Sequence, residues 1–298
     1  MTSGLLRTAL VAALVGGGVL WGLPTHAEAQ AQSQASDQNL PVYLRDRGTG
    51  QLTSMFGTYI RKGELLVYPF FEGYVDNDKE YKPSDLGFGL DEDFRGKFRA
   101  TEELIFLGYG VTDWLAVEFE ASAMQASLVK SPDDRTGVPG KIIESGIGDI
   151  EGQVRARLLE ENEGRPEVFS YFEAVSPNGQ DKLILGTPDW EFKIGGGLIK
   201  GSRFGTFTFR AAGEYSREES TFETGEYAVE YLKRLSPAWR VYAGIEGTQD
   251  EVELITELQW HITDRMFFKF NNGFGLTSKA TDWAPEIGVM FSLPARRN

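Results

Sequence analysis

The chain has 298 residues, 41% of them hydrophobic, a mean hydropathy of -0.29 and a formal net charge of -14. That acidity excludes the clustered Lys and Arg that a phosphate backbone demands, so no nucleic-acid partner is expected. Cysteine is absent, which removes disulfides, thiolate metal sites, a cysteine nucleophile and lipid attachment at a lipobox.

Arg7 precedes an apolar stretch over residues 9–23, and Pro24, Thr25, His26, Ala27, Glu28 and Ala29 follow. This order of charge, apolar run and small residues predicts a secretory signal peptide over 1–27, with cleavage after Ala29 as the alternative. Residues 30–39 are rich in Gln, Ser and Ala without periodicity, which predicts a flexible start. Residues 40–62 mix apolar and charged side chains. The whole of 28–62 therefore reads as a periplasmic N-terminal tail or a small plug element, and both alternatives stand. Beyond the first two dozen positions no apolar run approaches the about 20 residues of a membrane helix.

From residue 64 the apolar signal takes a period of two, which puts alternate side chains on opposite faces of a strand. Strands are predicted over 64–75, 97–109, 115–123, 148–159, 167–175, 190–200, 205–215, 226–234, 240–247, 252–262, 266–276 and 284–293. The clearest is 252–262, where Val252, Leu254, Leu258, Trp260 and Ile262 alternate with Glu253, Glu257, Gln259 and His261. Connections alternate between short turns (110–113, 160–165, 201–203, 235–238, 263–265) and polar loops, of which 76–96, 131–145 and 176–189 are long. The expected fold class is all-β: a transmembrane antiparallel β-barrel of about twelve strands over 63–293, with short periplasmic turns and longer outer loops. Residues 294–298 would then form a periplasmic extension. A soluble β-sandwich is the rival, but it would place its Trp residues mid-strand. Here Trp114, Trp239 and Trp260 fall beside short turns and Trp190 and Trp283 where loops enter strands, so with Tyr109 they read as the aromatic girdles of a membrane barrel.

If the apolar faces meet lipid, the opposite faces line a lumen. That face carries Glu118, Glu120, Glu151, Glu173, Glu191, Glu214, Glu230, Glu246, Glu253 and Glu257, with Arg155, Arg157, Lys193, Arg210, Arg240, Lys269 and His261. Carboxylates outnumber cations, and two readings stand: an ion-pair network that fills the interior, or an acidic aqueous channel that favours cations. Catalysis is not expected. His26 leaves with the signal peptide, and His261 faces the lumen rather than the lipid side where a lipid hydrolase needs its Ser and His. Glu118 and Glu120 share a face but are more simply ion-pair partners. The acidic stretch of Asp76, Asp78, Glu80, Asp91, Glu92 and Asp93 lacks the spacing of a calcium loop. No metal and no cofactor are expected.

The last predicted strand carries Glu286, Gly288, Phe291 and Leu293, which resemble the C-terminal signal read by the barrel-assembly machinery. Tyr109-Gly110-Val111-Thr112-Asp113, Gly146-Ile147-Gly148-Asp149, Ser176-Pro177-Asn178-Gly179 and Asp282-Trp283-Ala284-Pro285-Glu286-Ile287-Gly288 fall in order at strand boundaries. Together they resemble an outer-membrane family associated with the meta-cleavage pathway of phenol degradation, whose members are described as transporters. The resemblance implies an outer-membrane barrel in contact with lipid that passes a small, aromatic solute, to which the acidic lumen adds cationic ones. A structural or adhesive envelope barrel with a closed lumen is the alternative.

Overall fold

The computed structural model describes residues 40–179, 182–217, 221–248 and 251–294. The signal peptide expected over 1–27, the rest of the chain up to residue 39 and the tail at 295–298 lie outside the described residues.

A single 3-10 turn (Val42–Leu44) and a ribbon of β1 (Gln51–Leu52) and β2 (Tyr59–Ile60) come first. Twelve strands follow: β3 (Glu64–Tyr81), β4 (Phe94–Gly110), β5 (Leu115–Val129), β6 (Lys141–Leu159), β7 (Glu167–Ser176), β8 (Glu191–Gly201), β9 (Thr206–Ser216), β10 (Thr221–Arg234), β11 (Trp239–Thr248), β12 (Glu251–Thr263), β13 (Met266–Gly275) and β14 (Trp283–Pro294). Each of the twelve pairs antiparallel with its chain neighbours, and β14 pairs back with β3 to close one barrel. The predicted all-β barrel of about twelve strands is what forms.

Strand ends differ from the sequence reading on one side. β3 and β4 run to Tyr81 and back from Phe94, and β6 starts at Lys141, all within segments read as long loops. The reason is physical: alternation marks a strand only while one face meets an apolar medium. Where both faces are wet the ladder continues without the pattern. Consequently β3 to β6 hold 18, 17, 15 and 19 residues while β7 holds 10 and β8 11.

Alternation decides the two faces. Phe119, Ile143, Ile147, Ile194, Phe209, Val229 and Leu293 point outward at 42%, 60%, 61%, 61%, 50%, 50% and 51% exposure. Soluble monomers rarely expose a contiguous apolar surface beyond a few hundred Å², and here it encircles the barrel. Tyr109, Trp114, Trp190, Trp239, Trp260 and Trp283 are all exposed on this outer wall. Trp239 and Trp260, paired across β11 and β12, stack at 5.8 Å between ring centroids.

Residues 40–62 pack inside the barrel at the end bearing the short turns. Buried Arg47 pairs with Glu161 at 3.1 Å and with Glu167 of β7 at 3.0 Å. Asp46 accepts from the Arg234 amide of β10 at 2.9 Å and pairs with Lys233 at 3.2 Å. Ser54 donates its amide to Glu118 of β5 at 2.9 Å. The Phe56 ring packs on Tyr242 of β11 at 5.3 Å, and its carbonyl accepts from Lys269 of β13 at 3.3 Å. Ile60 is fully buried with Leu66, Tyr68, Phe106 and Met290. Close approach needs glycine at one wall position: a Cβ on Gly201 of β8 would lie 1.8 Å from the Tyr43 carbonyl oxygen.

Candidate functional site

The inner wall sorts its charges into two groups. In the first, every cation finds a carboxylate. Lys269 lies 2.9 Å from Glu257, Lys193 lies 3.1 Å from Glu173, and Arg157 lies 3.2 Å from Glu167. Arg210 holds Glu230 at 2.8 Å and also bonds Glu226 and Glu246. Arg155 is 3.7 Å from Glu118, takes Gln153 as its hydrogen-bond acceptor and lies over the Tyr171 ring at 4.9 Å. Charges taken out of water are tolerable only when paired and hydrogen-bonded.

The second group is acidic and has no such partners. Glu286, Glu72 and Glu102 lie directly opposite one another across β14, β3 and β4, and Glu120 and Glu151 across β5 and β6. None of the five forms an ion pair within 4.0 Å among the described residues. Tyrosines bond them instead: Tyr74 donates to Glu102 at 3.0 Å and Tyr68 to Glu286. A cavity of about 170 Å³ opens at Glu118, Glu120, Glu151 and Glu173, floored by Ser54 and Met55 of the inserted segment.

The remaining sequence candidates fall as follows. Glu253 has no ion pair among the described residues, and Glu191 and Glu214 stand half-buried where β8 and β9 reach the loop end. His261 meets Gln259 at 3.2 Å and stacks on Phe267 at 4.5 Å, with no hydroxyl nucleophile bonded to it among the described residues. It lines a second cavity of about 210 Å³ at the turn end with Arg47, Arg61, Arg234 and Arg240. Glu286 and Gly288 of the C-terminal motif face inward. A Cβ on Gly288 would come within 2.4 Å of the Tyr68 ring. Phe291 and Leu293 face outward.

At the loop end, residues 182–190 fold back over the inner wall. Glu144 accepts the Ile184 amide at 2.9 Å and Asp149 the Thr187 amide at 2.8 Å, while Leu185 is buried against Ala100 and Ala126. Asp134 anchors the 130–140 loop. Burial acts to raise its carboxyl, yet hydrogen bonds from Thr136 and Tyr81 and the nearby Lys130 hold it below the usual carboxylate range. The acidic first loop divides: Glu80 pairs with Arg95 at 2.7 Å and Asp91 with Lys82 at 3.2 Å. Asp76 and Asp78 meet Asp282, with carboxylate oxygens within 4.8 Å. Asp282 already accepts two hydrogen bonds from Asn77.

Glu72 and Glu102 went unnoticed in the sequence because their strands turn aromatic side chains inward too, Phe70 and Tyr74 on β3 and Phe106 on β4, which blurs the polar-in pattern. Glu286 was legible only as part of an end motif.

An apolar outer wall, a charged interior and full closure define a transmembrane β-barrel, the one sheet architecture that leaves no backbone edge open to lipid. No protein-family model matches the chain, nor does any curated protein. Among solved structures it is similar to the COG4313 outer membrane channel from Pseudomonas putida F1, with a TM-score of 0.58 and 12% identity over 82% of this chain and 100% of that one. The translocator domain of the autotransporter NalP from Neisseria meningitidis aligns with a TM-score of 0.45 at 10% identity, over 89% of this chain and 95% of that one. The CymD monoaromatic hydrocarbon channel aligns at 0.37 and 9%, over 79% and 89%. At 12% identity the likeness to the COG4313 channel is one of fold alone.

Proposed function

We propose that the chain is a passive channel or facilitator for small solutes in the outer membrane of a Gram-negative-type bacterium. It would be exported by a signal peptide over 1–27, inserted through the barrel-assembly machinery by way of its last strand, and left with both termini in the periplasm. The observation that carries the reading is the acidic inner wall. A barrel built only to sit in the envelope gains nothing from five carboxylates that face one another with no ion pair among the described residues, since like charges directly opposite on a sheet repel. A passage for solutes does use them, because rings of carboxylates lower the entry barrier for cations. Residues 40–62 act in this reading as the plug of the turn end. A second reading, a closed envelope barrel, draws on that plug and on the ion pairs around Arg47 and Arg210. Phenol, as the resemblance to the phenol-degradation family suggests, and small organic cations are the solutes to try first. No catalytic role and no cofactor are proposed.

Liposomes carrying the mature protein are expected to swell faster than empty ones in small sugars, benzoate or phenol, and faster still when residues 40–62 are deleted. No acceleration with any solute for either protein would leave the closed envelope barrel as the better account.

A further inference from the structure

The acidic wall has more order than an open cation path needs. Glu286, Glu72 and Glu102 form one continuous cross-strand row, and Glu120 and Glu151 form a second pair further toward the plug. Glu120 stands in the field of the other four, while Lys193 and Lys269 act on Glu151 and Glu286 from beyond ion-pair distance. Between the two sets Gly148 of β6 lets the Ser122 hydroxyl pack close against the wall: a Cβ built on it would fall 2.2 Å from the Ser122 hydroxyl and 3.2 Å from a Glu102 carboxylate oxygen. Ser122 stands on the inward face of β5 two positions from Glu120. It is only 8% exposed, and its hydroxyl has no hydrogen-bond partner among the described residues. Buried hydroxyls are normally satisfied, so this one points to a donor that the chain itself does not supply.

The occupant must be cationic, must offer N–H or O–H donors, and must reach both sets. A bare metal ion fits poorly. Among the described residues the one trio of carboxylates that brings its oxygens within 4.8 Å is Asp76, Asp78 and Asp282, outside this wall. Neighbouring strands are about 4.8 Å apart and like-facing residues on one strand about 6.6 Å apart, so these charges are spread over a surface rather than gathered around a point. The adjoining cavity of about 170 Å³ exceeds the roughly 30 Å³ that one water occupies in the liquid. Phe106, which lines it, offers an apolar face to methylene groups between charges.

We propose that Glu72, Glu102, Glu120, Glu151 and Glu286, with the Ser122 hydroxyl beside Gly148, bind an organic cation bearing two or more ammonium groups. The ammonium ends sit on the two sets of carboxylates, where charge-assisted hydrogen bonds are strongest, and the aliphatic chain spans the gap past Phe106. The proposal rests on the channel reading only for the route by which the cation arrives. Binding itself needs no conduction.

The test is isothermal titration of the detergent-solubilised, folded full barrel with spermidine, so that failure to conduct and failure to bind are read separately. Saturable binding is expected, weakened at least about tenfold in Glu102→Gln/Glu120→Gln, since each change removes a charge-assisted bond. Gly148→Ala leaves every charge in place but displaces the Ser122 hydroxyl, and it is also expected to weaken binding. Glu163→Gln, on an exposed turn, should not. Heat-modifiable gel migration reports whether each variant is folded, and Ser122→Ala serves as the mildest variant should the others fail that check. Unsaturable binding, equal affinity in Glu102→Gln/Glu120→Gln and the parent, or displacement by magnesium at the same concentration as spermidine would overturn the proposal.

Discussion

Arg47 is the residue on which the inserted segment depends most. Its guanidinium is almost fully buried between Glu161 and Glu167, and Glu167 also faces Arg157. Both carboxylates accept charge-assisted hydrogen bonds from the one Nη2 atom. Removing one partner of a buried ion pair costs about 3–5 kcal/mol, because the abandoned charge stays buried. Arg47→Met is therefore expected to loosen residues 40–62 from the wall while the barrel stays closed. Limited proteolysis is the check: cleavage within 40–62 should speed up with the twelve-strand core unchanged on gels. The double variant Arg47→Met, Glu161→Gln should recover part of the loss, since Glu167 keeps Arg157 and the Lys200 left by Glu161 is solvent-exposed. Cleavage at parental rates in Arg47→Met would assign the anchoring to Asp46, Ser54 and Phe56.

The seam between β14 and β3 has the most interrupted pairing in the wall. Its register is constant, but pairs are missing opposite Tyr68–Pro69 and opposite Ala284–Pro285. Proline has no amide to give to a ladder and is rare inside sheets. Side-chain packing makes up for this. Tyr68 crosses the seam to Glu286 and stacks on Phe70 at 4.5 Å, and it can do so only because position 288 is glycine. Gly288→Ala is expected to lower the fraction of heat-modifiable, folded barrel, with amide exchange at Leu66 to Phe71 rising more than in β4 or β5. An unchanged fraction would mean that Tyr68 moves aside freely and that Gly288 matters for assembly alone. Much at this scale was legible beforehand. All twelve strands follow from alternation because lipid on one face and charge on the other enforce period two. What stayed hidden depends on three-dimensional proximity: the loop-end extensions of β3, β4 and β6, and the pairing that spends Glu118 on Arg155 and Glu257 on Lys269 while leaving Glu120 without a cation. No sequence spacing encodes which strand a side chain will face across a lumen. The site residues Glu72 and Glu102 were missed for the same reason, being masked by inward aromatic neighbours.

For the whole molecule, ion selectivity should follow the unpaired carboxylates rather than the total. Paired groups contribute little net field, so Glu120→Gln and Glu253→Gln are expected to reduce cation preference in planar bilayers under a salt gradient. Glu257→Gln should leave selectivity nearly unchanged but cost stability, because Lys269 would be stranded. A reversal potential of anionic sign in the parent protein would instead give control to the basic turn-end mouth of Arg61, Arg234 and Arg240. The order of the strands also has a consequence in time. Eleven of the twelve neighbour pairings join strands consecutive in the chain, and the remaining one joins β14 to β3. Hairpins can form early, since closing a short loop costs little entropy and slightly more with each doubling of length. The last pairing must wait until the sheet has curled almost full circle. Residues 40–62 lead directly into β3, so they are tethered to one side of that final gap. A chain whose first strand carries its own stopper can seat it as the gap shuts, and folding kinetics should then show barrel closure and burial of Phe56 as one late event.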